Sequence, residues 1–91
     1  MIDDRRDRID PDRPKLLWEQ VYEDLAADIQ SGLLPPRSRI PGEHDLVERY
    51  GVSRPTVHRA LVELVNVGLA ITVKNKGRYV SEDAQSGDTG N

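Results

Sequence analysis

Two short helical patterns meet at a sharp break around Gly51, and this break constrains the fold more than any other feature of the sequence. Apolar side chains recur at helical spacing over residues 43–50 and again after the break. The second stripe consists of Val57, Ala60, Leu61 and Leu64. Glycine is a common helix stop, Ser53 is a good N-cap, and Pro55 is tolerated in a first helical turn. We therefore predict a helix over 43–50, a tight turn, and a helix from Ser53 that closes at Gly68: a helix-turn-helix.

A further helix is predicted upstream, from about Leu16 to Ser31, with Gly32 as its stop. Its buried stripe is expected to consist of Trp18, Val21, Tyr22, Leu25 and Ile29. The remaining positions include four acidic residues, Glu19, Glu23, Asp24 and Asp28. We therefore expect this helix to be acidic outside, a surface that would repel a polyanion. The segment Arg39–Pro41 is predicted to be short and extended.

A β-hairpin is predicted after the third helix. Two β-prone runs, Leu69–Val73 and Arg78–Ser81, flank a turn at Lys74–Gly77 in which asparagine and glycine are available for positive φ. The predicted fold is therefore mainly α with a small β-hairpin, a winged helix-turn-helix of three helices plus a two-stranded wing. We expect this domain to span residues 15–81, between a flexible charged arm (1–14) and a disordered polar tail (82–91).

Positive charge is concentrated in one part of an acidic chain. The net charge of the 91 residues is −3, yet residues 53–80 contain five basic residues and one acidic residue, a net charge of +4. An electrostatic footprint for nucleic acid is a local field on one face, so the local excess matters more than the total. We expect Arg54, Thr56, His58 and Arg59 to be exposed at the start of the third helix, where a recognition helix reads bases. The arm arginines could also touch DNA, although aspartates stand beside them.

Composition excludes several other classes of protein. There is no cysteine, and the two histidines, His44 and His58, do not have metal-ligand spacing. We expect no cofactor, no metal, no membrane span and no secretory signal, and a cytoplasmic location. Motifs for a nucleophile elbow or a phosphate-binding loop are missing, so we expect no enzymatic activity. The first-turn acid Glu43 is explained by the helix dipole.

From about Leu16 to Val80 the sequence resembles the DNA-binding domain of GntR-type bacterial transcription regulators, and its wing is most similar to the HutC-like branch. The motifs that carry the resemblance are SGLLPP at 31–36, RIPGE at 39–43, YGVSR at 50–54, TV-RAL at 56–61, and GRYV at 77–80. The resemblance implies that Arg54 and Thr56 contact base edges and phosphate, and that the wing tip near Asn75 enters the minor groove. With the residue reasoning above, it gives a predicted DNA-binding set of Arg39, Glu43, His44, Ser53, Arg54, Pro55, Thr56, His58, Arg59, Lys74, Asn75, Lys76, Gly77 and Arg78.

The sequence departs from the family at four of its usual positions. Gly42 replaces a capping serine, Asn75 replaces glycine, and His44 and His58 stand where arginine is usual. Free imidazole is mostly uncharged at neutral pH. We therefore hypothesise that DNA affinity rises as the pH falls from about 7.5 to about 6.

The expected function is a sequence-specific transcriptional regulator, more specifically a repressor, because blocking a promoter requires only binding. The family resemblance implies an inverted-repeat operator and a homodimer, formed either in solution or only on DNA. Eleven residues follow Val80, so we expect no effector domain and no effector site in a complete small protein, with a fragment as the alternative. The competing functions are a protein-interaction winged helix and, third, an RNA-binding one.

Overall fold

The computed structural model describes residues 3–82, and it contains three helices and one two-stranded antiparallel sheet in that part of the chain. The elements are a 3₁₀ turn at Arg6–Arg8, α1 at Leu17–Gln30, α2 at Glu43–Tyr50, α3 at Arg54–Asn66, β1 at Ala70–Val73 and β2 at Gly77–Val80. The winged helix-turn-helix prediction is confirmed, with helix ends that differ by one or two residues. The predicted disordered tail lies outside the described residues, apart from residue 82.

Helices α1 and α3 pack along their lengths and form the core. Their fully buried side chains are Val21, Leu25 and Ile29 from α1 and Val57, Ala60, Leu61 and Leu64 from α3. Leu46 and Tyr50 of α2 also belong to this core. Ile40, Ala70 and Val80 complete it on the side of the hairpin. The prediction that Trp18 and Tyr22 belong to the buried stripe of α1 is wrong, because both side chains are only partly buried. Their rings form a tilted pair with centroids 6.5 Å apart.

The turn between α2 and α3 requires glycine. Gly51 has φ +67°, and a Cβ there would lie 2.7 Å from Cγ of Arg6. Ser53 caps α3 as predicted, because its hydroxyl oxygen accepts a hydrogen bond from the Thr56 amide at 3.3 Å. These two local devices fix where α3 begins and therefore which side chains its first turn presents.

The extended segment before α2 joins the hairpin. Arg39 forms an isolated bridge with Tyr79, and the Ile40 amide donates to the Arg78 carbonyl at 2.9 Å. In the hairpin, Ala70 pairs with Val80 and Val73 pairs with Gly77. A two-stranded hairpin is marginal alone, so this extra pairing helps to hold the wing against the helices.

The amino-terminal segment is docked, which differs from the expected flexible arm. The Arg5 side chain is 4% exposed. Its guanidinium donates to Asp28 at 2.5 Å, to Asp24 at 2.7 Å and to the Tyr50 hydroxyl at 3.2 Å, and its amide donates to the Arg49 carbonyl at 2.7 Å. Asp28 is consequently buried and not on an acidic outer face. Sequence composition missed this because the charges of the segment are neutralised by partners distant in the chain.

Candidate nucleic-acid interface

Glu43, the first residue of α2, is the centre of a charged cluster that joins three elements. One carboxylate oxygen accepts from Arg54 Nε at 3.0 Å, and the other lies 2.7 Å from Nδ1 of His58. The second oxygen also lies 3.7 Å from a terminal nitrogen of Arg78 in β2. Contact with His58 and Arg54 places the pKa of Glu43 below its ordinary value, against a smaller opposing effect of burial. A single carboxylate therefore links α2, the start of α3 and the wing.

The cations around Glu43 remain accessible. Side-chain exposure is 65% for Arg54 and 55% for His58, whereas Glu43 is 21% exposed. Arg54 and His58 are therefore more accessible to a ligand than the carboxylate that they share, whereas Arg78 is 21% exposed, the same fraction as Glu43. An arrangement of this kind can present hydrogen-bond donors to an anion while restricting their orientation.

The first turn of α3 presents a polar edge beside this cluster. Besides accepting from the Thr56 amide, the Ser53 hydroxyl lies 3.0 Å from the Thr56 hydroxyl. Pro55 is exposed next to Arg54. The hydroxyls of Ser53 and Thr56, which both belong to the predicted DNA-binding set, therefore contact each other.

The wing tip is a basic turn that Arg39 holds in place. Asn75 has φ +65°, as predicted for the turn. The Arg39 Nε donates to the Lys76 carbonyl at 3.1 Å, and a Cβ at Gly77 would lie 3.1 Å from the same Nε. Lys74 and Lys76 are exposed, and neither forms an ion pair within residues 3–82. Arg39 therefore contributes to this surface by positioning the turn.

Two predicted residues have other contacts. The Arg59 guanidinium lies over the ring of Trp18, 4.4 Å from its centroid, which ties α3 to α1. His44 is three-quarters exposed, and its Nε2 lies 3.2 Å from Glu48 one turn along α2. The DNA role of both residues stays a prediction, as it does for the rest of the set.

Sequence reasoning did not find the central role of Glu43. It attributed this acid to the helix dipole, because partners 11, 15 and 35 positions away in the chain carry no periodic signal. Glu43 and each of its basic partners belong to the predicted DNA-binding set, but the contacts that join them were not predicted. No group of residues suited to hold a metal ion is present among residues 3–82, and no helix there is long and apolar enough to cross a membrane.

A helix-turn-helix followed by a basic two-stranded wing defines a winged helix-turn-helix domain of the nucleic-acid-binding type. Residues 17–80 match the family described as "Bacterial regulatory proteins, gntR family". The chain belongs to this family, as the sequence resemblance implied.

Named relatives agree with this assignment. The chain is 41% identical over 69 residues to a histidine utilization repressor of Pseudomonas aeruginosa, covering 76% of this chain and 28% of that protein. It is 38% identical over 74 residues to the transcriptional repressor NagR of Bacillus subtilis, covering 81% of this chain and 30% of NagR. The chain thus spans less than a third of the length of these curated relatives. The resemblance to the HutC-like branch is confirmed.

A solved structure of similar sequence contains DNA. The AraR DNA-binding domain in complex with operator ORR3 superposes with a TM-score of 0.68 at 35% identity, covering 74% of this chain and 83% of that one. The fold is therefore one that, in AraR, is found on operator DNA.

Proposed function

We propose that this chain is a sequence-specific double-stranded DNA-binding unit of a bacterial transcriptional repressor. The observation that carries the proposal is the convergence of Arg54, His58 and Arg78 around Glu43, next to a basic wing tip. The operator complex of AraR and the naming of two relatives as repressors support it. Repression needs only occupancy of a promoter, so a domain of this size suffices for it.

In this proposal α3 enters the major groove with its first turn. Arg54 can pair with O6 and N7 of a guanine, a contact that discriminates by roughly 1–3 kcal/mol. Ser53 and Thr56 contact phosphate, and the α3 N-terminus adds its dipole. The predicted DNA-binding set given above supplies the remaining contacts.

The wing then lies along the minor groove. Lys74 and Lys76 are free of protein partners among the described residues, and Asn75 stands between them at the tip. A narrow A·T-rich minor groove concentrates negative potential and attracts such side chains. Arg39 holds the turn in the shape that this approach requires.

The wider assignments follow the family. We propose a non-enzymatic protein that acts in the cytoplasm on the nucleoid. It binds an inverted repeat as a homodimer, which forms either in solution or on the DNA. A protein-docking function is not favoured, because the exposed face of α3 and the wing is basic and because similar folds are solved on operators.

The test is selection of bound duplexes from a random pool by the pure protein, repeated with Arg54→Ala. Arg13→Ala is the matched control, since it removes an exposed arginine that contacts Glu23 of α1 and lies outside the cluster. We expect a symmetric motif for wild type and for Arg13→Ala, and its loss or relaxation for Arg54→Ala. Absence of any selected motif with the wild type would reject the proposal.

A further inference from the structure

The carboxylate of Glu43 carries a negative charge within a surface that is proposed to bind a polyanion. A negative charge there weakens attraction to phosphate for every DNA sequence alike. Glu43 must therefore have another role that compensates for this loss of affinity. The contacts of Glu43 indicate what that is.

Arg54 is long and flexible, and in isolation its guanidinium could reach a base edge or a phosphate with equal ease. Within residues 3–82 the Arg54 guanidinium forms one hydrogen bond, from its Nε to Glu43, and its two terminal nitrogens form none. Those terminal nitrogens are the donors that a bidentate contact with guanine uses. Glu43 therefore holds Arg54 in a base-reading orientation before DNA arrives.

The same carboxylate restrains the wing. Arg78 belongs to β2, and its nearest anionic group within residues 3–82 is Glu43, at 3.7 Å. The Nε of Arg78 is buried without a hydrogen-bond partner, and within residues 3–82 Glu43 is the ion-pair partner of its side chain. Through Glu43 the wing and the first turn of α3 are held in one relative position.

We propose that Glu43 is a positioning residue that sets sequence specificity without touching a base. It lowers affinity for all DNA by its charge, and it restores affinity for the correct sequence by fixing Arg54 and the wing. This inference rests on the proposed function, and it adds to that function the residue responsible for discrimination.

The experiment compares Glu43→Gln with wild type on two duplexes: the motif selected by the wild-type protein and a scrambled duplex of the same composition. Glutamine keeps the shape of the side chain but lacks the charge that attracts Arg54 and Arg78. We expect tighter binding to the scrambled duplex and a fall of about tenfold in the ratio of the two affinities. An unchanged ratio overturns the inference.

Asp45→Asn is the matched control. Asp45 lies in the same first turn of α2, is exposed, and forms no ion pair in the described part of the chain. The variant has the same change in net charge and a similar effect on the helix dipole. We expect its affinity ratio to equal that of wild type; a ratio that falls as far as in Glu43→Gln would reduce the effect to charge alone and overturn the inference.

Glu43→Asp and an added Arg54→Ala background separate positioning from folding. Aspartate keeps the charge but withdraws the carboxylate by one methylene, so we expect the ratio to fall although the melting temperature is preserved.

With Arg54→Ala already present, Glu43→Gln should no longer lower the ratio. A full effect in that background contradicts action through Arg54. If wild type selects no motif, the proposed function fails and this inference with it; if it selects one and the Glu43 variants keep the ratio, only this inference fails.

Discussion

At the scale of single residues, Arg5 is the least expected feature of the molecule. Its guanidinium is buried between Asp28 and Asp24 of α1 and Tyr50 of α2. It donates to each of these side chains a hydrogen bond that water would otherwise supply. Burying charges is costly, and removal of one partner leaves the others unpaired. The segment before α1 therefore acts as part of the fold.

Arg5→Ala is expected to reduce the free energy of unfolding by about 3 kcal/mol, because it leaves the buried Asp28 without its cation, whereas Asp24 keeps its contact with Arg8. The measurement is urea denaturation followed by circular dichroism. Arg13→Ala serves as control, since the Arg13–Glu23 pair is exposed and 3.8 Å long, and we expect a change below about 1 kcal/mol. Equal effects of the two variants would contradict the account.

The same cluster predicts a loss of stability in acid. Burial alone would raise the pKa of Asp24, but hydrogen bonds from Tyr50, Arg8 and Arg5 outweigh it and place the pKa below its ordinary value. A carboxyl with a lowered folded-state pKa stabilises the protein above its unfolded pKa of about 3.9 and loses that contribution as the pH falls through the folded value. Unfolding free energy should fall as the pH is lowered below about 4, and less steeply in Asp24→Asn. Parallel pH profiles would contradict this.

At the scale of elements, the wing and α3 are expected to contribute to binding in different ways. Lys76 is exposed at the wing tip and contacts no carboxylate within residues 3–82, so its charge is available to phosphate. Lys76→Ala should reduce the slope of log affinity against log salt by about 1 and weaken binding to all sequences alike. Lys15→Ala, which removes a lysine paired with Glu23, should leave the slope unchanged. A loss of sequence preference in Lys76→Ala would show that the wing reads bases.

The hypothesis that DNA affinity depends on pH concerns His44 of α2 and His58 of α3. His58 faces Glu43 of α2, with Arg54 of its own helix and Arg78 of β2 around the same carboxylate. A positive charge at His58 would lie beside Arg54 and Arg78, which are proposed to bind DNA, and would offset the charge of Glu43. DNA affinity should rise about threefold between about pH 7.5 and pH 6, and this rise should be absent in the double variant His44→Gln/His58→Gln. Equal wild-type affinities at the two pH values would remove the hypothesis.

At the scale of the whole molecule, local signals in the sequence were sufficient for the fold. Gly51, Ser53 and Pro55 mark the helix-turn-helix, and Asn75 with Gly77 marks the hairpin, because each residue acts on its own backbone. The structural role of Arg5 and the cluster at Glu43 could not be predicted in this way. Both depend on charges brought together by tertiary packing, and such partners leave no pattern in a single sequence.

One basic surface is proposed to read the major groove through α3 and the minor groove through the wing. Methylation interference on the selected duplex tests it directly, because dimethyl sulfate modifies guanine N7 in the major groove and adenine N3 in the minor groove. We predict interference at a guanine in each half-site that disappears in Arg54→Ala, and interference at flanking adenines that disappears when Lys74 and Lys76 are replaced by alanine. Tight wild-type binding without interference at any guanine would contradict the account.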